Sequence, residues 1–122
     1  MGTDKTLPIT LADVKEILDA EVAAGHDRLD TQVTGGAASD LMSDILRNTK
    51  EGALLVTGLN SVQVIRTSII AGMAGVVFVR GKTPSDDIIA IARDHNLPIL
   101  TTNLNMYATC GKLYSRGLKS IR

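Results

Sequence analysis

The sequence predicts an α/β domain of three layers, α/β/α, built on a mainly parallel sheet. Three apolar runs, Ala53–Thr57, Gly75–Val79 and Leu97–Thr101, begin 22 residues apart. Continuous apolar strands of this kind belong to sheets covered on both faces. Between and after them come apolar residues at helical spacing: Val62, Ile65 and Ile69, then Ile88, Ile91 and Ala92, then Met106, Cys110, Leu113 and Tyr114. Strand alternating with helix implies right-handed crossovers, which gather the strand-to-helix turns at the carboxyl edge of the sheet.

Each element has a local reason. Residues 1–10 read as a lead-in, 11–118 as the single folded domain and 119–122 as a tail. Thr10 with Asp13 resembles a capping box and opens a helix carrying Leu11, Val14, Leu18 and Val22, with Gly25 as its stop. Leu29–Thr34 alternates apolar and polar residues and reads as a short strand that Gly35-Gly36 breaks. Ser39 is placed to cap a second helix with Leu41, Met42, Ile45 and Leu46 turned inward. Asn60 or Ser61, and Thr83 with Pro84, mark later helix starts; Gly72 and Gly117 mark ends.

Composition excludes several classes of function. A chain of 122 residues with 44% hydrophobic and 21% charged side chains is an ordinary globular domain. Thirteen basic and thirteen acidic residues cancel, so no overall field draws the protein to nucleic acid or to membrane. One Phe, two Tyr and no Trp argue against a surface that stacks bases or sugars. A single cysteine excludes an internal disulfide and suits the cytoplasm. No apolar run approaches the ~20 residues of a membrane span. Gly2 with Thr6 matches the short N-myristoylation pattern, and Gly2 reads equally as an ordinary residue. Charge is uneven along the chain: residues 1–51 hold ten acids and five bases, a net −5, and residues 52–122 hold three acids and eight bases, a net +5. The two halves can pair within one subunit or between two. The series Lys112, Arg116, Lys119 and Arg122 suits a helix C-terminus.

The candidate site follows from the turns. Thr34-Gly35-Gly36 running on to Ser39 lets main chain approach a ligand without a Cβ barrier, or makes a tight turn with a Ser cap. Arg80 and Lys82, in the turn after an apolar strand, can pair with phosphate or carboxylate, or solvate a loop. Asn60 and Ser61 can donate to the same pocket or cap the next helix. Thr102 falls in the turn after the last strand. All of these turns are expected at the carboxyl edge, where open α/β sheets receive ligands. No catalytic set, metal site or cofactor is expected. His26 and His95 lack a spaced partner, Asp86-Asp87 suits a helix first turn, and Cys110 falls on an apolar stripe. Neither a GxxxxGK[ST] nor a GxGxxG turn is present.

The chain resembles the DRTGG domain family from about Leu11 to Leu118. The resemblance rests on Val33-Thr34-Gly35-Gly36 with Ser39-Asp40-Leu41-Met42-Ser43-Asp44, on Glu51 to Gly58, on Val77-Phe78-Val79-Arg80-Gly81 with Pro84, and on Leu97 to Thr102. The last two stretches are also similar to the N-terminal domain of HPr kinase/phosphorylase. The resemblance implies a compact α/β/α regulatory or dimer-forming module that accompanies catalytic or sensory domains in larger proteins, with nucleotide binding suggested for the family. This chain has Gln32-Val33 where the family name spells Asp-Arg, so any role of that pair does not transfer. The expectation is a non-catalytic regulatory module and homodimer that binds a small anion, such as a nucleotide. A ligand-free module docking on a separately encoded enzyme or sensor is the alternative.

Overall fold

Thr10 sets the first helix. Its hydroxyl accepts from the Asp13 amide, and the Asp13 carboxylate accepts from the Thr10 amide, so both halves of the capping box are present. The computed structural model describes residues 8–121; Gly2 with its acylation pattern and Arg122 lie outside the described residues. β1 (Ile9–Thr10) pairs antiparallel with β3 (Gln32–Val33) in a two-stranded ribbon beside the main sheet. Of the strand expected over Leu29–Thr34, only β3 forms. The carbonyls of Leu29 and Thr31 accept instead from the Ala12 and Leu11 amides, at 2.8 and 3.0 Å, and satisfy the start of α1 (Leu11–Leu18).

α1 does not run on to Gly25. Asp19 takes the left-handed conformation, with φ 50°, and its amide and that of Ala20 close the last turn. The chain then forms β2 (Glu21–Ala24), an antiparallel edge strand against β7 (Ile99–Thr101). Backbone groups that a longer helix would satisfy internally are satisfied here by the sheet, and the edge pairing outweighs the helix preference of its two alanines.

The larger correction concerns the double glycine. Gly36 does not end a strand; it begins one. β4 (Gly36–Ala38) runs parallel to β5 (Leu54–Thr57), with Gly36 opposite Leu54 and Ala38 opposite Val56. On its outer side Gly36 meets the segment after α5: its amide donates to the Lys119 carbonyl at 2.8 Å, and its carbonyl accepts from the Ile121 amide at 3.0 Å. A Cβ on Gly35 would stand 3.2 Å from Ile121 Cγ2 and 3.3 Å from its Cα. Gly35 therefore admits a close neighbouring segment of the protein itself.

After β4 the helix starts later than expected. α2 (Met42–Arg47) has Leu41 at its N-cap, without a capping side chain. Ser39 acts one step earlier, its hydroxyl accepting from the Leu41 amide and donating to Asp44 Oδ2. Ile45 is buried and Met42 half-buried, but Leu41 and Leu46 point outward, 62% and 57% exposed. Six residues of helix bury too narrow a stripe to take all four.

The remaining pattern follows the 22-residue spacing. β5 leads to α3 (Val62–Ala71), capped by Ser61 and ended by Gly72 at φ 72°. β6 (Gly75–Phe78) leads to α4 (Asp86–Asp94), whose cap is Ser85, one residue beyond the expected Thr83-Pro84 start. β7 leads to α5 (Met106–Ser115), capped by Asn105 and followed by Gly117 at φ 106°. The sheet order is β2-β7-β6-β5-β4, parallel throughout except for β2. Alternation along the strands divides the interior in two. Leu54, Val56, Val77 and Val79 pack with residues of α1 and α5, whereas Leu55, Val76 and Phe78 pack with residues of α2, α3 and α4. This is the expected α/β architecture.

Candidate functional site

The parallel register brings four chain exits to one edge. Ala38 lies beside Val56, Thr57 beside Phe78, and Phe78 beside Thr101. The segments that follow, Ser39-Asp40, Gly58 to Ser61, Val79 to Lys82 and Thr102-Asn103, therefore share the carboxyl rim.

The Arg80 turn is the most constrained of these. Arg80 and Gly81 both have positive φ, 60° and 67°, and the Lys82 amide donates to the Val79 carbonyl. This is the pattern of a type I′ turn, in which a non-glycine residue at the first central position carries a conformational cost. Neighbouring loops hold it. The Arg80 amide donates to the Leu104 carbonyl at 2.8 Å, and the Gly81 amide to the Thr102 carbonyl at 2.9 Å. The Arg80 side chain then lies across Gly58, where a Cβ would collide with the guanidinium. Its Nη1 stands 3.5 Å from Asp40 Oδ2, with both side chains more than 40% exposed. Solvent screens such a pair, so its direct contribution to stability is small. Asp40 Oδ1 also accepts from the Gly58 amide at 2.6 Å and from the Thr57 hydroxyl at 3.4 Å. Lys82 is exposed on the same turn.

The other expected rim residues are spent locally. Asn60 donates from Nδ2 to the Thr83 carbonyl at 2.9 Å and braces the approach to α4. Ser61 accepts from the Gln63 amide as the α3 cap. Thr102 is buried, donating to the Leu18 carbonyl at 3.0 Å and accepting from the Leu104 amide. Ser39 stands at the rim, tied to Leu41 and Asp44.

Thr34, Gly35 and Gly36 do not face them. The Thr34 amide donates to the Gly52 carbonyl, its hydroxyl donates to the Glu51 carbonyl, and the Gly35 carbonyl accepts from the Leu54 amide. Those partners precede or begin β5, so the glycine turn lies at the amino edge. The length of β4, ~10 Å, separates it from Ser39. One wall of the expected pocket is therefore at the wrong end of the sheet. Asp40, directly after Ser39, is the rim residue that the turn reading missed.

A second feature flanks β4. A groove of about 560 Å³ opens between β4, α5 and the segment after α5, with Ala37, Ala38, Cys110, Gly111, Tyr107 and Tyr114 in its lining. Tyr107 is 90% exposed and Tyr114 60%; Lys119 Nζ sits 5.0 Å from the Tyr114 ring centroid, a cation–π contact. Burial pushes the Cys110 thiol pKa up, which favours an unreactive neutral thiol. His26, His95, Asp86 and Asp87 are exposed. Among the described residues no three His, Cys, Asp or Glu side chains group as metal ligands, and no helix is long and apolar enough to cross a membrane.

With this geometry in place, residues 13–115 match the DRTGG domain. The chain belongs to the DRTGG family. It is 30% identical over 109 residues to the protein YtoI of Bacillus subtilis (strain 168), an alignment covering 86% of this chain and 24% of that protein. It is also similar to the crystal structure of the CBS and DRTGG domains of the regulatory region of Clostridium perfringens pyrophosphatase, complexed with the activator diadenosine tetraphosphate. There the TM-score is 0.72 at 19% identity, over 91% of this chain and 48% of that one. At that identity the likeness establishes a shared fold. This DRTGG domain thus spans about a quarter of the one relative and half of the other. Its departure from the family name is accommodated locally: Val33, in the arginine position, is 7% exposed and packs in the α1–α5 core, where an apolar side chain belongs.

Proposed function

We propose that this DRTGG domain is a non-catalytic, cytoplasmic regulatory module that binds a small anionic ligand, a nucleotide, at its carboxyl rim and acts as a homodimer. The observation that carries the reading is the Arg80 turn. A guanidinium held over the Gly58 main chain, with Lys82 on the same turn, sits where open α/β sheets take ligands. The nucleotide-complexed regulatory region of similar fold supports the choice of ligand class. The site is smaller than four converging turns would make it: it comprises Arg80, Lys82 and Gly58, with Ser39 and Asp40 at its margin and no glycine wall. Ligand occupancy regulates an assembly only by binding its states unequally.

The exposed tyrosines favour a second reading, a ligand-free module that docks on a separately encoded enzyme or sensor through the groove beside α5. Calorimetry with ATP separates the two. The first reading predicts a saturable isotherm, weakened at least tenfold, about 1.4 kcal/mol, by Arg80→Ala with Lys82→Ala. Sedimentation with and without ATP then reports whether occupancy shifts the dimer. Equal affinity in the double variant removes those side chains from the site, and flat traces with ATP favour the docking module.

A further inference from the structure

The rim already holds an anion of its own. The Asp40 carboxylate collects the donors that an oxyanion would use: the Gly58 amide and the Thr57 hydroxyl on Oδ1, and the Arg80 guanidinium facing Oδ2. Carboxylate and phosphoryl oxygens accept from the same donors, and an amide–guanidinium set of this kind recognises either. The bond to Gly58 is short, at 2.6 Å, whereas the contact to Arg80 is long and half open to water. Asp40 belongs to a different strand exit from the groups it binds. It can therefore leave without unravelling β5 or β6.

We infer that Asp40 is a built-in competitor, occupying the oxyanion seat formed by Thr57, Gly58 and Arg80 until a phosphate-bearing ligand displaces it. This deepens the reading given under Proposed function and rests on it. The seat is masked in the free protein, and binding there frees the β4 exit. Ala38, two residues before Asp40, lines the groove beside α5, so the freed segment adjoins that groove.

The test is calorimetry with inorganic pyrophosphate and with ATP on wild type, Asp40→Asn and Asp40→Asn with Arg80→Ala, each checked for folding by thermal melting. Asparagine keeps an oxygen for the Gly58 amide and removes the competing charge. The expected result is affinity at least tenfold tighter in Asp40→Asn than in wild type, with the gain lost when Arg80 is also removed. Asp44→Asn separates seat from field, because it removes a nearby charge without touching the donors. An equal gain there overturns the proposal. Equal binding by wild type and folded Asp40→Asn also overturns it while leaving the nucleotide reading intact. Absence of binding in every form overturns both. Should Asp40→Asn fail to fold, the Asp40 carboxyl carbon signal of wild type decides: it must move as pyrophosphate saturates, and a static signal at saturation refutes displacement.

Discussion

Phe78→Ala is expected to lower the unfolding free energy by about 3–5 kcal/mol. Phe78 is the one phenylalanine of the chain and is fully buried on β6, between β5 and β7. It packs in the core that includes Ile65 of α3, Ile88 of α4 and Ile99 of β7. Truncation loses the transfer free energy of the ring and leaves a cavity among close-packed neighbours. A domain of this size has roughly 5–15 kcal/mol in total, so the variant retains a fraction of its stability. Equilibrium urea unfolding measures it through the midpoint at constant slope. A loss below about 1 kcal/mol would mean that the α3–α4 layer does not close over the sheet.

Gly25→Ala is the next largest. Gly25 follows β2 at φ 83°, and an added Cβ would lie 2.7 Å from Pro98 Cα and 2.8 Å from Pro98 Cβ. A left-handed L-residue costs roughly 1–2 kcal/mol, and overpacking adds about 1–3 kcal/mol. The clash is with backbone and a rigid ring just before β7, so neither side can yield cheaply. The expected loss is about 2–5 kcal/mol in the same urea experiment, together with loosening of the β2–β7 edge seen as faster amide exchange at Ile99 and Thr101, the β7 residues whose backbone faces β2. Stability equal to wild type would contradict the close approach of these two segments.

The sheet was legible in the sequence where its strands carry branched apolar side chains. β5, β6 and β7 follow runs such as Leu54-Leu55-Val56 and Val76-Val77-Phe78, and their 22-residue spacing leaves room for little except a crossover helix. β4 was not legible. Gly36-Ala37-Ala38 has no branched side chain to mark a strand, and what makes it one is pairing with β5 and with residues 119–121, far away in sequence. β2 was hidden differently: Val22 falls four residues after Leu18, so the helical period continues through a boundary set by one left-handed residue, Asp19.

The unrecognised β4 explains what happened to the candidate site. A turn before a strand and a turn after it lie at opposite edges of a parallel sheet. Reading Thr34-Gly35-Gly36 as the end of a strand therefore moved it to the wrong edge. The turns after β5, β6 and β7 were assigned to the carboxyl edge, and Asn60, Ser61, Arg80, Lys82 and Thr102 are found along it. Their individual duties depend on hydrogen bonds that spacing cannot reveal. Thr102 is committed to the Leu18 carbonyl, 84 residues away in sequence, whereas Arg80 is held over a glycine with its guanidinium half open to solvent.

If ligand recognition resides at the Arg80 rim, bound nucleotide must perturb the amides of that rim and spare the opposite edge. Amide chemical-shift mapping of the ¹⁵N-labelled protein during an ATP titration reads this residue by residue. Recognition at the rim gives saturable shifts centred on the amides of Gly58, Arg80, Gly81 and Lys82. Shifts confined to Thr34–Gly36 at the opposite edge, or to Tyr107–Tyr114 along the groove, would contradict it.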